Sequence, residues 1–300
     1  MKQILLTGIT GQLGQELEQT LAPLGKVSGF SHQTLDLTQP DKIRQVIQEV
    51  KPDFIVNSAA YTAVDKAETE TELANSINGT APTIMAEEAQ RLGATLIHVS
   101  TDYVFDGQKN TPYLEEDTPS PINAYGYSKL LGEEGIQKTG DRYLILRTAW
   151  VYGSYGKGNF VKTMLRLGAE REELRVVVDQ LGTPSWTGDI AQAMLGLLTQ
   201  LAREQSDNSH LTGIYHFTNS GAISWYDFAV AIFEEAKQLG FPLKVERVVP
   251  ITTAEYPTPA KRPAYSVLSG KKISAVLGSH SPHWRSGLRQ MLKQLYTQKV

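Results

Sequence analysis

Short apolar runs alternate with helical periodicity along the first half of the chain. The run Ile4–Leu6 predicts a buried strand, and leucines at helical intervals from Leu13 to Leu24 predict a helix directly after it. One long helix is predicted at about 72–92. Further strands are predicted at residues 26–30, 54–56, 94–100 and 142–147. Because strands that alternate with helices through short connections form parallel sheets covered on both faces, the pattern predicts an α/β fold with a doubly wound parallel sheet.

The alternation becomes less regular after Gly153. We therefore expect two units, a sheet-containing domain at residues 1–150 and a smaller second domain at residues 151–300. Segments at about 175–215 are expected to return to the sheet of the first unit, and the polar stretch 205–210 is expected to be a surface loop.

The composition is that of an ordinary globular protein and excludes several functions. The chain has 300 residues, of which 41% are hydrophobic, and its net charge of −3 gives no reason to expect a nucleic acid or an anionic membrane as partner. It has no cysteine, which excludes disulfides, thiolate nucleophiles and cysteine-ligated zinc. Lys2 precedes only three apolar residues, too few for a signal peptide, and no apolar run approaches the ~20 residues of a membrane span. We expect a cytoplasmic protein.

Three glycines mark the turn between the first strand and the first helix. Gly8, Gly11 and Gly14 follow at a spacing of three, one residue wider in the first interval than the G-x-G-x-x-G pattern of dinucleotide sites. A strand that turns on glycines into a helix leaves the first N–H groups of that helix free to bind an anion, and a Cβ would hold a pyrophosphate away from the backbone. This turn predicts a nucleotide cofactor. A tight turn without a ligand is the alternative.

The end of the second predicted strand bears on which cofactor binds. Many dinucleotide folds place an acid there to hold the adenosine ribose, but this chain has Ser31 and His32. The missing acid disfavours strict use of NAD and permits the 2′-phosphate of NADP, although no arginine follows to bind that phosphate. Asp36 comes a few residues too late to be the ribose ligand. It either accepts a hydrogen bond from adenine or closes the loop before the next helix.

Acid–base chemistry is predicted at the start of the helix after residue 123. Tyr125 and Lys129 lie one helical turn apart on one face. An ammonium roughly 5 Å from the phenol contributes about 3 kcal/mol at an effective dielectric near 20, which would lower the tyrosine pKa by roughly two units. Thr101 ends a predicted parallel strand, so its hydroxyl is expected at the same sheet edge as the glycine turn. A dinucleotide beside such a set is the equipment for moving a hydride to or from a carbonyl.

These features resemble the extended short-chain dehydrogenase/reductases and, within them, the dTDP-4-dehydrorhamnose reductase family. The family resemblance spans nearly the whole chain, and the motifs that carry it lie at residues 57–68, 100–107, 147–152 and 256–263. It implies a Rossmann domain at residues 1–150, with a mainly substrate-binding domain at residues 151–300. It also implies reduction of dTDP-4-dehydro-β-L-rhamnose to dTDP-L-rhamnose by NADPH or NADH.

The resemblance also implies a role for each matching residue. Tyr125 would protonate the developing C4 alkoxide, Thr101 would donate to the same oxygen, and Lys129 would bind the nicotinamide ribose. The substrate-binding residues implied are Thr101, Asp102, Tyr103, Trp150 and Arg262. The cofactor-binding residues implied are Gly8, Thr10, Gly11, Gln12, Leu13, Gly14, Asp36, Leu37, Ala59, Ala60, Tyr61, Tyr125 and Lys129.

Some members of the family join two subunits through a divalent metal held by three glutamates. The corresponding positions here are Glu16, Asp189 and Gln294, so one ligand is a neutral amide. A hard cation such as Mg²⁺ prefers charged oxygens, so we assign no metal ligand. We expect a monomer or a homodimer that binds a dTDP-sugar.

Two other classes of function share this scaffold. A nucleotide-sugar 4,6-dehydratase carries Asp-Glu after its catalytic threonine, whereas Thr101 is followed by Asp102 and Tyr103. A 4-epimerase keeps its cofactor through the cycle, so stoichiometric loss of NADPH absorbance would distinguish it from a reductase. A non-catalytic regulatory subunit, like the reductase-like partner of methionine adenosyltransferase, would leave the Thr101, Tyr125 and Lys129 set unexplained.

Overall fold

A computed structural model of the protein describes residues 1–203 and 211–298. The polar stretch 205–210 predicted as a loop lies outside these residues. The strands are β1 Lys2–Thr7, β2 Gly25–Phe30, β3 Phe54–Asn57, β4 Thr95–Thr101, β5 Tyr143–Thr148, β6 Val151–Tyr152, β7 Glu173–Val177, β8 Leu181–Gly182, β9 Ser185–Trp186, β10 Gly213–His216, β11 Ile223–Ser224 and β12 Arg247–Ile251. The helices are α1 Gln12–Leu21, α2 Pro40–Val50, α3 Val64–Ala67, α4 Thr71–Asn75, α5 Ala81–Leu92, α6 Ala124–Thr139, α7 Phe160–Glu170, α8 Thr187–Arg203, α9 Trp225–Gln238, α10 Lys271–Leu277 and α11 Trp284–Thr297.

Six strands form one sheet in the order β10-β5-β4-β3-β1-β2, and every neighbouring pair is parallel. The predicted α/β fold with a doubly wound parallel sheet is therefore confirmed. The chain passes from β1 outward to β2 and then returns to β3 on the other side of β1. Because ligands of such sheets bind where the strand order reverses, the crevice beyond the carboxyl ends of β1 and β3 is the expected site.

Apolar layers cover both faces of this sheet. Helices α1 and α8 pack on one face, where Leu17, Met194 and Leu197 are among the buried side chains. Helices α2 and α5 pack on the other face, around Ile47 and Met85. The sheet is thus shielded from water on both sides, as parallel sheets require.

A separate apolar cluster lies in the second half of the chain. It joins α7, α9 and α11, with Phe228, Leu288 and Met291 fully or almost fully buried, and it includes Leu174 and Val176 of β7. Strand β7 pairs with β12 outside the large sheet, whereas β10 lies beside β5 within it. The second half therefore contributes both to this cluster and to one edge of the large sheet.

The long helix predicted at about 72–92 is interrupted. Helix α4 passes through a π-helical turn at Ser76–Thr80 before α5 begins. Pro82 has no N–H for the carbonyl of Asn78 four residues earlier, and an added Cβ on Gly132 of α6 would lie 2.2 Å from that carbonyl oxygen. The wide turn also aims the Asn78 side chain at Tyr61, whose backbone N–H and C=O it binds, each at 2.9 Å. Helical periodicity alone does not reveal this irregularity.

Among the described residues, none of the helices combines the length and the apolar character that a membrane crossing requires.

Candidate active site

A cleft of about 830 Å³ opens beyond the carboxyl ends of β1, β3 and β4. Most of the residues predicted for a site meet there. Those that line the cleft are Gly8, Thr10, Gly11, Gln12, Leu13, Gly14, Leu37, Ala59, Ala60, Thr101, Asp102, Tyr103, Tyr125, Lys129 and Trp150. Asp36, Tyr61 and Arg262 do not line it, for reasons given below.

The glycine turn closes tightly on itself between β1 and α1. Gly8 has a φ of +78°, and its N–H donates to the carbonyl of Phe30 at 2.8 Å. An added Cβ on Gly14 would lie 2.0 Å from the Gly8 carbonyl oxygen, so the first turn of α1 packs directly on the loop. No side chain caps α1 at Gly11, which leaves the first N–H groups of the helix facing the cleft. This geometry suits a bound anion such as a pyrophosphate.

The start of α6 places Tyr125 beside Thr101. The Asn123 side chain caps the helix by accepting from the Gly126 N–H at 2.8 Å, and a Cβ on Gly126 would lie 2.1 Å from the Tyr103 carbonyl oxygen. The helix therefore starts in direct contact with the turn that follows β4. The Tyr125 hydroxyl hydrogen-bonds that of Thr101, and its ring packs edge-on against the Tyr103 ring at 5.6 Å.

Burial dominates the titration of Tyr125. It raises the tyrosine pKa to about 12, the nearby charge of Asp102 acts in the same direction, and the Thr101 hydrogen bond opposes them. The expected lowering of this pKa by Lys129 is therefore wrong for this structure. The physical reason is burial of the phenol, which outweighs the other influences on its pKa; the Lys129 ammonium is engaged by the Val99 carbonyl and His98 of β4. At neutral pH the phenol is protonated and can act as a proton donor.

Lys129 is one of the largest fully buried side chains of the described residues. Its Nζ donates to the Val99 carbonyl at 2.7 Å and lies 3.1 Å from Nε2 of His98. Burial lowers the Lys129 pKa to about 8, against the opposing charge of Glu133 one turn further along α6. The ammonium form is thus retained at neutral pH but is held only by a few fixed partners.

Asp102 and Tyr103 form the floor of the cleft next to Thr101. The Asp102 carboxylate accepts from the Thr101 hydroxyl at 3.0 Å, and burial raises its pKa to about 6 against the hydrogen bonds from Thr101 and Ser266. Burial and the charge of Asp102 raise the Tyr103 pKa, while Arg262 lowers it. The floor therefore consists of buried hydrogen-bonding groups, one of which is a carboxylate.

Arg262 lies behind this floor rather than in the cleft. Its guanidinium forms two bonds to the Asp65 carboxylate, at 2.6 and 2.9 Å, and hydrogen-bonds the Tyr103 hydroxyl. Arg262 therefore does not line the cleft, and its expected contact with the substrate stays a prediction. The carboxylate of Asp65, which lies in α3, holds the guanidinium in this position.

Asp36 and Tyr61 do not line the cleft either. The Asp36 carboxylate accepts from both the N–H and the hydroxyl of Thr38, at 2.9 and 2.8 Å, and so closes the loop before α2, while a hydrogen bond from adenine stays a prediction. The Tyr61 hydroxyl donates to Glu70 at 2.7 Å, because Asn78 fixes the Tyr61 backbone with the ring turned outward.

Trp150 forms the opposite wall of the cleft. It stacks on Trp225 of α9 with ring centroids 3.5 Å apart, and its φ of +47° is unusual for a residue other than glycine. A Cβ on Gly182 would lie 2.5 Å from its indole, so the glycine leaves room for the ring. The backbone conformation of Trp150 thus serves to bring the apolar cluster of the second half up to the cleft.

Several lining residues were not singled out from the sequence as site residues. They include Phe30, Ser31, His32, Val99, Thr148, Lys157 and Trp225. Ser31 and His32 directly follow β2, and that position alone is a signal for them. Lys157 lies in a glycine-rich loop, whereas Trp225 gives no signal that separates it from a core aromatic residue.

The three positions of the family's metal site do not form a carboxylate cluster here. The Glu16 pKa is raised by burial, Asp189 accepts from the Asn219 amide at 2.6 Å, and the third position is Gln294. The described residues contain no group of three or more histidine, aspartate or glutamate side chains placed to hold a metal ion.

Comparisons with known proteins agree with this geometry. The RmlD substrate binding domain family matches residues 1–297. The chain is 44% identical to the dTDP-4-dehydrorhamnose reductase of Burkholderia thailandensis over 298 residues, which are 99% of this chain and 100% of the relative. It is also 44% identical to the enzyme of the same name from Escherichia coli K12, over 98% of both chains.

A solved structure is similar over the same length. The dTDP-4-dehydrorhamnose reductase of Bacillus anthracis, determined in complex with NADP, superposes with a TM-score of 0.88 and 40% identity, covering 98% of this chain and all of that one. The prediction of an oxidoreductase of this kind is confirmed. The chain belongs to the dTDP-4-dehydrorhamnose reductase family, within the RmlD substrate binding domain family.

Proposed function

We propose that this chain uses NADPH to reduce the C4 ketone of dTDP-4-dehydro-β-L-rhamnose, giving dTDP-L-rhamnose. One observation carries the proposal. Thr101, Tyr125 and Lys129 line the same cleft as the uncapped start of α1, so a proton donor and an anion site face one space. The substrate is inferred from the names of the relatives, and the reduction chemistry is inferred from the residues of the cleft.

The residues of the cleft fit a nicotinamide dinucleotide. The N–H groups at the start of α1 would hold the pyrophosphate, and the absence of a side chain at Gly8 and Gly11 would let it come close, with Ala59 and Ala60 leaving room beside it. Lys129 would bind the nicotinamide ribose. The cofactor, when bound, supplies the hydride for the ketone carbon.

The remaining chemistry belongs to side chains of this protein. Tyr125 is a protonated phenol at neutral pH because burial raises its pKa to about 12, so it holds the proton that the C4 oxygen requires as it becomes an alkoxide. The Thr101 hydroxyl, which donates to Asp102 at 3.0 Å, can turn its hydrogen toward the same oxygen. Asp102, Tyr103 and Trp150 would lie against the sugar.

NADPH is proposed as the preferred cofactor, with NADH as the weaker alternative. Ser31 and His32 line the cleft directly after β2, where neither residue is the acid that holds the adenosine ribose in many NAD-binding folds. The solved relative from Bacillus anthracis holds NADP, which supports the same choice. We further propose that residues 1–150 mainly bind the cofactor, that residues 151–300 mainly bind the dTDP-sugar, and that the enzyme acts in the cytoplasm as a monomer or homodimer.

A coupled assay tests the proposal. The substrate is generated from dTDP-4-keto-6-deoxyglucose by the preceding epimerase, and the loss of NADPH or NADH absorbance is followed. A reductase consumes one cofactor per sugar product, with NADPH the faster. Sugar conversion without net loss of absorbance would identify an epimerase, and no conversion with bound cofactor would point to a binding subunit.

A further inference from the structure

A buried histidine stands directly behind the candidate catalytic lysine. His98 lies on β4 with 1% of its surface exposed, and it does not line the cleft. Its Nε2 is 3.1 Å from the Lys129 Nζ, and its Nδ1 is 3.0 Å from the side-chain amide of Asn57 on β3. The other end of that amide lies 2.7 Å from the hydroxyl of Thr7, the last residue before Gly8. These four side chains form one continuous chain beneath the cleft.

The ammonium fixes the direction of the hydrogen bonds in this chain. An ammonium group only donates, so His98 Nε2 must be the unprotonated nitrogen when Lys129 is charged. A neutral imidazole then carries its proton on Nδ1, which needs an acceptor. Burial and the charge of Lys129 hold the His98 pKa well below its ordinary value, so the ring does not gain a second proton at neutral pH.

The amide of Asn57 can supply that acceptor. In the structure its nitrogen faces His98 Nδ1 and its oxygen faces Thr7. That orientation would leave the ring proton on Nε2, directed at the ammonium. Rotating the amide by 180° gives the one consistent set, in which Nδ1–H donates to the amide oxygen and the amide nitrogen donates to the Thr7 hydroxyl.

We propose that His98 is a positioning residue, held by Asn57 as the Nδ1–H tautomer, whose Nε2 fixes the Lys129 ammonium relative to the glycine turn. This proposal rests on the proposed function, because it gives Lys129 a task in the cleft. Without His98 as acceptor, the Val99 carbonyl, at 2.7 Å, would be the one hydrogen-bond acceptor left to the ammonium within residues 1–203 and 211–298. Loss of that partner would disfavour the charged form of a side chain that is almost fully buried.

The other charged groups around Lys129 also act on its pKa. Glu133 and Tyr125 lie one turn away along α6, and Arg147 of β5 binds Glu133 at 2.6 Å. Burial lowers the Lys129 pKa and Glu133 raises it. Removing His98 Nε2, which accepts from the ammonium, therefore lowers the Lys129 pKa further. Activity that needs the ammonium is then lost at a lower pH as the solution becomes alkaline.

Two substitutions separate positioning from packing. The side chain of His98→Gln can place an amide oxygen where Nε2 stands, whereas that of His98→Asn is too short and keeps only the end that faces Asn57. We expect His98→Asn to move the alkaline limb of the kcat/KM profile down by about one pH unit, and His98→Gln to restore it. An unmoved limb in His98→Asn, or the same displacement in both variants, would overturn the proposal.

A measurement on the unaltered protein does not depend on activity. With 15N-labelled histidine, and with the His98 signals assigned by their absence in His98→Gln, the spectrum at pH 7 should show Nδ1 protonated and Nε2 unprotonated. The Nε2–H tautomer or an imidazolium there would refute the inference. If the parent protein fails to reduce the keto-sugar, the proposed function fails, while this spectrum still decides the state of His98.

Discussion

Tyr125 shows how burial can set the role of a residue more strongly than a neighbouring charge. Its position four residues before Lys129 correctly predicts that the two side chains share one helix face, but not the direction of the pKa shift. Burial of the phenol sets that direction, and the Lys129 ammonium is engaged by His98 and the Val99 carbonyl, neither of which is close to Lys129 in sequence. Spacing along a helix predicts which side chains share a face, but not which partners they choose.

Replacing Tyr125 by phenylalanine should lower kcat by about 10²-fold or more, because general acid catalysis contributes typically 10²–10⁴-fold. NADPH affinity, measured by fluorescence titration, should remain close to that of the parent. Tyr127→Phe is the matched control, since Tyr127 lies on the same helix with 51% of its surface exposed. Near-normal turnover in Tyr125→Phe would remove this residue from its proposed role.

Asp102 should make the protein less stable as the pH rises. Its pKa is about 6 in the folded protein and about 3.9 in the unfolded chain, so the folded state binds more protons between these values. Burial of the carboxylate therefore does not lower the free energy of unfolding below the unfolded pKa. Above pH 6 it lowers that free energy by its full amount, about 3 kcal/mol.

The test compares the unfolding free energy of Asp102→Asn with that of the parent from pH 4 to pH 8. The variant should gain stability relative to the parent as the pH rises to 6, and the difference should then stay constant. Asp141→Asn, an exposed position, is the control and should show no such trend. A difference that shrinks as the pH rises would contradict the assigned shift.

At the scale of elements, the strands and the helices around the glycine turn follow from apolar periodicity, whereas irregular elements do not. The π-helical turn after α4 depends on Pro82 and on the close approach of α6, which periodicity cannot convey. Helix α11 and strand β12 were not predicted either. Their apolar residues pack on the apolar cluster of the second half, so their secondary structure depends on contacts with residues distant in the chain.

Two glycines of the same turn should respond differently to substitution. A Cβ on Gly11 meets only the Gly8 carbonyl at 3.1 Å, so Gly11→Val should fold and should lose NADPH binding, because its methyl groups would occupy the anion site. Gly14→Ala places a Cβ 2.0 Å from that carbonyl and should lose roughly 1–3 kcal/mol of stability or more. Thermal unfolding and fluorescence titration of both variants separate the two effects. Unchanged NADPH binding by Gly11→Val would refute the proposed pyrophosphate site.

At the scale of the whole molecule, contacts between distant segments complete the site. Arg262 binds Asp65 at a sequence separation of 197 residues and hydrogen-bonds Tyr103. Trp225, which packs against the apolar cluster of the second half, stacks on Trp150. The family resemblance, carried by motifs that include residues 57–68 and 256–263, correctly predicts the family to which the chain belongs. It did not indicate that Arg262 would turn to a carboxylate, because that choice depends on the packed arrangement of both halves.

Strand β10, the last of the six strands in chain order, forms one edge of the large sheet. Helix α8 packs beside α1 on one face of that sheet. A chain growing on the ribosome therefore carries an uncovered hydrophobic surface until residue 216 has emerged. Cutting the gene after codon 150 would yield an aggregating fragment rather than a portable cofactor-binding module. Any engineered chimera of this protein has to keep residues 187–216 with the amino-terminal half.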